Sequence, residues 1–266
     1  MMKAIDLYNH MKEIGHWVNW DNTTDYVHAG DPNNEVKGIA VAWQGRLSAL
    51  REAVKLGCNL LVTHEQIDYP ERQVQGPDTD KKQQYALDKE QFIKENNLVI
   101  IRCHDTWDRV PEIGIVHAWG AHLGFGKRLA GEPNATEAMY ASPKPTLIEL
   151  AKYVLEKTKP LGQDSVEMIG DPNAKVSKVA VGCGAGTEYG PMTALGADVL
   201  IVTDDGIRYW ADGAWALDSG TPMIAVNHCV SEEPGMKTLA EYIRKQFPDV
   251  KNVHHIMQGS LYKTVG

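Results

Sequence analysis

Apolar and polar positions fall along this chain in blocks that predict helices and strands in alternation. Ile5, Tyr8, Met11 and Ile14 recur at helical spacing and stop near Gly15, which predicts an opening amphipathic helix. Gly38 to Trp43 (GIAVAW) is a short continuous apolar run, the pattern of a strand buried on both faces. Leu47, Leu50, Val54 and Leu56 mark a helix crossing to Leu60 to Thr63, a second such run that passes directly into His64-Glu65. A polar-faced helix over Lys81 to Asn97 leads to a strand over Leu98 to Arg102, which empties into His104 to Asp108, and a further helix follows over Gly114 to Leu123. Between the second strand and the polar-faced helix, Pro70 to Asp80 is charged and punctuated by Pro and Gly, the composition of a loop over a site.

The pattern then recurs. Leu195 to Ile207 (LGADVLIVTDDGI) repeats Leu56 to Ile67 with one residue inserted: Leu-Gly, a small residue, Asn or Asp, an apolar run, Thr and a polar pair. Thr221 to Asn227 delivers His228 to Glu232 as Leu98 to Cys103 delivers His104 to Asp108, so each half ends in His-x-x-x-carboxylate. Lys178 to Gly182 (KVAVG) matches the run before Trp43. Helices are expected around Trp210 to Leu217 and over Met236 to Phe247, a strand over Pro222 to Val226, and a final apolar piece, Val253 to Tyr262, that closes a sheet edge. The expected fold is α/β: two similar α/β lobes from an internal duplication, packed around a shared metal cleft. The first lobe is placed at 1–130, a Gly- and Pro-marked connector at 131–145 and the second lobe at 146–266, opened by Thr146 and Glu149 in capping-box spacing.

Composition narrows the function classes. An apolar content of 43% is ample for a packed core. The net charge of −8 lacks the concentrated basic footprint that nucleic acid requires, so no nucleic-acid partner is expected. No apolar run approaches a membrane span, and the N-terminal stretch is broken by Lys3, Asp6, Lys12 and Glu13. The cysteines Cys58, Cys103, Cys183 and Cys229 stand far apart without C-x-x-C spacing and read as buried thiols of a reducing compartment, so a cytoplasmic protein is expected.

Candidate chemistry sits at the strand ends, where open α/β sheets place their ligands. His64 with Glu65, and His228 with Glu232, pair imidazole nitrogen with carboxylate oxygen, donors that suit borderline divalent ions such as zinc, manganese or iron. His104 and Asp108 mirror the second pair through the repeat. Asp204-Asp205 is the counterpart of His64-Glu65 and reads as a support for ligands or as substrate-facing. His117, His122 and the neighbouring pair His254-His255 read as structural. Trp43, Trp107, Trp119, Trp210 and Trp215 read as core or interface, and GCGAG (Gly182 to Gly186) is a weak nucleotide signal that lacks the phosphate-loop spacing.

In this order, WDN (Trp20 to Asn22), LLVTH (Leu60 to His64), HDTWD (His104 to Asp108), KVAVGCGAG (Lys178 to Gly186), ADVLIVTDD (Ala197 to Asp205) and NHCVSE (Asn227 to Glu232) give the chain a resemblance to the Nif-three-like dinuclear metal-centre family, also called type 2 GTP cyclohydrolase-like. The resemblance covers nearly the whole length. It implies two closely spaced divalent metals per chain and a ring-like homo-oligomer, often a hexamer. It implies that His64, Asp108, His228 and Glu232 are metal ligands with His104 nearby. Glu65 stands where the family usually has a second histidine, Trp43 where it often has aspartate and Trp210 where it often has histidine. The resulting expectation is a metal-dependent hydrolase of a small molecule, with His64, Glu65, Asp108, His228 and Glu232 holding metal and His104 or Asp205 orienting water or shuttling a proton. The family's purine-nucleotide cyclohydrolase reaction would call for a phosphate clamp, and no basic cluster stands near these ligands in the sequence. The alternative is a non-enzymatic metal-binding ring scaffold or metal carrier.

Overall fold

The computed structural model describes residues 1–67, 84–185 and 187–265. The loop expected over Pro70 to Asp80 lies outside these residues. In chain order the first elements are α1 (Ala4–Ile14), β1 (Tyr26–Ala29), β2 (Ile39–Gln44), α2 (Leu47–Lys55), β3 (Leu60–Glu65), α3 (Gln84–Glu95), β4 (Val99–Arg102), α4 (Asp105–Asp108) and α5 (Ile115–Leu123). They are followed by β5 (Glu137–Ala141), α6 (Leu147–Thr158), β6 (Glu167–Ile169), β7 (Lys178–Gly182), α7 (Tyr189–Ala194) and β8 (Val199–Thr203). A π-helical turn, Tyr209–Gly213, runs into α8 (Ala214–Ser219), and β9 (Met223–Val226), α9 (His228–Gln246) and β10 (Val253–Ile256) complete the chain.

The chain divides into two compact units, Met1–Trp107 with Leu239–Ile256, and Asp108–Thr238 with Met257–Gly266. The first holds a five-stranded sheet in the order β1-β4-β3-β2-β10, parallel from β4 to β10 with β1 antiparallel at one edge. The second holds a five-stranded sheet in the order β5-β7-β8-β9-β6, with β7, β8 and β9 parallel and both edge strands antiparallel. The continuous apolar runs are central strands because both of their faces are covered. In the first unit Ala40, Ala42, Leu61 and Ile100 pack with Ala49, Leu50 and Ala53 of α2 and Ile93 of α3. In the second, Val179, Val181, Val199, Ile201 and Ile224 pack with Trp119 of α5 and Leu150 and Val154 of α6, while alternate residues Ala180, Leu200, Val202 and Met223 pack with Met192 and Ala216. No helix among the described residues is long and apolar enough to cross a membrane.

The stretches from α1 to α4 and from α6 to α9 share the order α-β-β-α-β-α-β-α, and local bonding repeats in detail. Gly30-Asp31-Pro32-Asn33 recurs as Gly170-Asp171-Pro172-Asn173. In each turn the Asp side chain accepts the Asn backbone N–H at 2.9 Å. The Pro32 carbonyl accepts the N–H of Ile5 at 2.7 Å, and the Pro172 carbonyl that of Ile148 at 3.0 Å. The turn thereby satisfies donors that the first turn of a helix leaves open. This explains why Thr146 and Glu149, spaced as a capping box, bond to each other at 2.6 Å rather than to the backbone. Asn59 and Asp198, the matched positions of the sequence repeat, also do one job: their side chains accept the N–H of Lys37 at 2.8 Å and of Lys178 at 3.0 Å, fixing the entry to β2 and β7.

Several elements differ from the sequence expectations. The connector at 131–145 contains β5, a strand whose Ala138, Met139 and Tyr140 are buried against the second sheet beside β7. Unit boundaries fall after Trp107 rather than at 130, and β10 closes the first sheet, parallel to β2. Helix α9 starts at His228 and runs through Glu233-Pro234-Gly235, a sequence that reads as a break. There the buried Glu233 carboxylate accepts the N–H groups of Gln258 and Gly259, and a side chain at Gly235 would meet Ile115 Cδ1 at 2.5 Å, so this stretch is fixed by tertiary packing. Trp43, Trp107 and Trp119 are core residues, whereas Trp210 on the π-helical turn is 76% exposed.

Candidate functional site

In the first unit, His64 and Glu65 end β3 and His104 directly precedes α4. His64 is fully buried, and its Nδ1 lies 3.2 Å from the Cys103 carbonyl, which accepts a proton there and leaves Nε2 as the basic nitrogen. Its ring stacks on His104 with centroids 4.4 Å apart. His104 Nδ1 is 2.9 Å from Asp105 Oδ1, and His104 Nε2 faces Glu65 Oε1 at 3.7 Å. Asp105 in turn accepts the hydroxyls of Thr23 and Thr24 at 2.7 and 2.9 Å. The His104 bond, opposed by burial and aided by the two threonines, holds the Asp105 carboxyl well below the usual carboxylate range. Asp25 accepts the backbone N–H groups of His104, Asp105 and Thr106, capping α4 from far upstream in the chain. Its burial outweighs these bonds and raises its own pKa.

The second unit uses the same device at the start of α9. Asp204 Oδ1 accepts the backbone N–H of His228 at 3.0 Å, as Asp25 does for His104. Asp205 Oδ2 lies 2.9 Å from His228 Nδ1, as Asp105 does from His104, and His228 Nε2 lies 3.0 Å from Glu232 Oε2 one helical turn on. Burial pushes the His228 pKa down, but the Glu232 and Asp205 carboxylates carry it up to about 11. Gly184, from the GCGAG segment, supplies a wall of this set. Gly184 has φ +72°, and a Cβ there would lie 2.8 Å from Glu232 Oε1 and 3.2 Å from His228 Nε2, so only glycine lets the backbone come this close. Thr187 and Thr203 each donate to the Gly184 carbonyl at 2.7 Å and hold the loop in place. Burial, then the Glu232 and Asp108 carboxylates, push the Cys183 thiol well above its ordinary pKa and keep it protonated beside this acidic group.

Each expected site residue thus has a defined place: His64, Glu65 and His104 together in the first unit, and Asp205, His228 and Glu232 together in the second, where Asp108 also acts on Cys183. Asp205 bonds to His228. Asp25 carried no local signal in the sequence, whereas Asp105 and Gly184 lie inside the HDTWD and GCGAG motifs without a role of their own being evident there.

A pH-dependent consequence follows from Asp105. A carboxyl with a depressed folded pKa contributes stability that is present above its unfolded pKa of about 4 and is lost as pH falls through the folded value. Asp105→Asn is therefore expected to be less stable than the natural protein at neutral pH, with the gap closing in acid. Urea unfolding at a series of pH values reads this, and a gap that stays constant into acid would count against the role given to the carboxylate.

Comparison with known proteins agrees with this architecture. Proteins named GTP cyclohydrolase 1 type 2 homolog are similar along nearly the full length. That of Clostridium perfringens is 22% identical over 255 residues, covering 92% of either chain. That of Chlamydia pneumoniae is 24% identical over 261 residues, covering 93% of this chain and 95% of its own. Among solved structures, a Bacillus cereus protein related to NIF3 shares the fold with a TM-score of 0.79 at 13% identity, covering 99% of each chain. A Staphylococcus aureus protein does so with a TM-score of 0.78 at 19% identity and the same coverage. The family model for Duf34/NIF3 (NGG1p interacting factor 3) matches residues 2–260, and the chain belongs to that family.

Proposed function

We propose that this protein is a divalent-metal-dependent hydrolase of a small molecule. The observation that carries the reading is the His228 arrangement: an imidazole 11% exposed, oriented at Nδ1 by Asp205, with Nε2 and the Glu232 carboxylate 3.0 Å apart. Carboxylate-oriented histidines beside a second carboxylate are the donor set of borderline divalent ions, and the chemistry of these residues fits such an ion. His228, Glu232, Asp108 and His64 are the proposed ligands, zinc, iron or manganese the proposed metal. The expected duplication and shared cleft are part of this proposal, supported by the repeated element order, the repeated Gly-Asp-Pro-Asn turn and the capping of both His104 and His228 by an upstream aspartate. A homo-oligomer is proposed from the family alone.

A bound divalent ion supplies Lewis-acid polarisation and a water acidic enough to deprotonate near neutrality. The protein's own residues supply the rest. Asp205 fixes the tautomer and direction of His228, and Gly184 leaves room for its Nε2. His104, held by Asp105 and 25% exposed at its side chain, would carry a proton. The relatives' names point to GTP as substrate, but the basic side chain bonded within the first-unit group, Arg102, is engaged with Glu65 and the His64 carbonyl, so the substrate proposed is a small hydrolysable molecule of no narrower class.

Turnover of a panel of small phosphate esters, cyclic amides and lactones by the chelated and the metal-restored protein tests the reading. Hydrolysis that returns with the metal supports it. Metal that binds and exchanges without turnover of any class would instead make the protein a carrier or scaffold.

A further inference from the structure

The first unit places a fixed cation beside Glu65, the residue on which the expected second metal site depends. Strand β4 lies parallel to β3 with Arg102 in register with Thr63, so the Arg102 side chain reaches the residues just beyond. Its Nε donates to the His64 carbonyl at 2.9 Å, and its NH2 donates to Glu65 Oε2 at 3.1 Å. Both partners of this ion pair are largely withdrawn from water, with side chains 11% and 18% exposed. The other Glu65 oxygen faces His104 Nε2 at 3.7 Å, on a ring whose far nitrogen Asp105 already holds. Donor atoms of His64 and Glu65 do lie within 4.8 Å of each other, so proximity alone would admit an ion there.

From this geometry we infer that the Arg102 guanidinium takes the place of the second metal ion, so that the protein is a one-metal member of a family expected to carry two. The inference rests on the metal-binding reading above. Glutamate at position 65 gives the guanidinium a carboxylate to bond, which a neutral histidine ligand would not. The guanidinium is planar and directional, is held at two points, and keeps its charge under all working conditions. A divalent ion drawing on Glu65 would have to sit beside this cation in a poorly solvated place, where like charges repel more strongly than in water. Glu65 is thereby turned from a metal ligand into the counter-ion of Arg102 and the neighbour of His104. These first-unit residues then form the chain Arg102, Glu65, His104, Asp105, two cations or proton carriers alternating with two carboxylates.

The test is metal stoichiometry, which does not depend on activity. The natural protein, Glu65→His, and Glu65→His combined with Arg102→Met are stripped with chelator, reloaded with excess zinc or manganese, desalted and subjected to elemental analysis. Circular dichroism confirms that each variant is folded. A single ion per chain in the natural protein, rising to two only in the double variant, is the expected result. Two ions in the natural protein would overturn the inference while leaving the metal-dependent reading intact, and this arm needs no variant. The same number in Glu65→His as in the double variant, above that of the natural protein, would show that Arg102 is not what excludes the second ion. No ion in any of the three would remove the metal reading and this inference with it.

Discussion

Glu232→Gln is expected to empty the protein of tightly bound metal, lowering affinity by about 100-fold or more, beyond the range that loss of a mere supporting residue produces. The substitution keeps the volume and much of the hydrogen bonding of the side chain, so what it removes is charge. Glu232 is 2% exposed, and its carboxylate is a principal reason why the His228 ring is basic despite burial. A divalent ion and a proton compete for the same Nε2 lone pair, and both are attracted there by Glu232 and Asp205. Without the Glu232 charge, Asp205 still holds Nδ1, so the ring stays in place and folding is preserved. Calorimetric titration with zinc, compared with the natural protein under the same buffer conditions, measures the change. Unaltered affinity in a folded Glu232→Gln protein would remove Glu232 from the ligand set.

Trp107→Ala is expected to cost about 3–5 kcal/mol of stability, a large share of the roughly 5–15 kcal/mol that a domain possesses. The Trp107 ring is fully buried and sits 5.3 Å from that of Tyr242. Helix α4 is only four residues long, too short to persist by its own hydrogen bonds, so it depends on the Asp25 cap and on this anchor. His104 and Asp108 flank the tryptophan in sequence, and loss of the ring releases both from their positions. The milder Trp107→Phe change should recover most of the stability. Urea denaturation separates the three proteins, and a loss below about 1 kcal/mol for the alanine variant would show that the site collapses around the missing ring.

What could be read from the sequence, and what could not, follows from the range of the interactions concerned. Strands β2, β3, β4, β8 and β9 were legible because an uninterrupted apolar run has few alternatives to a doubly covered strand. The pairing of Asn59 with Asp198 was legible as a repeat, although its purpose, holding the entry to the first strand of each parallel set, needed the structure. Strand β5 was hidden because EAMYA is short and lies among Pro, Gly and Asn, and only the neighbouring β7 makes it a strand. Glu233-Pro234-Gly235 gave a local signal opposite to the outcome, because a proline penalty inside a helix can be outweighed by packing and by buried bonds. Histidines at strand ends stood out by position. Asp25 did not, since it acts across 79 residues and no spacing rule reaches that far.

The return of β10 to the first sheet bears on the order in which the chain can assemble. Synthesis delivers β1 to β4 early, but Val253–Ile256, which pairs with β2, is made after all five strands of the second sheet. Until then β2 presents an open backbone edge flanked by fully buried Ile39, Val41 and Ala42, a template for pairing with another chain. The second sheet, encoded later, is therefore complete sooner, and the nascent first sheet is the part most in need of protection from aggregation. Loss of a few residues around β10 would leave that edge open for the lifetime of the molecule, giving a distal truncation the consequences of a lesion in the N-terminal half.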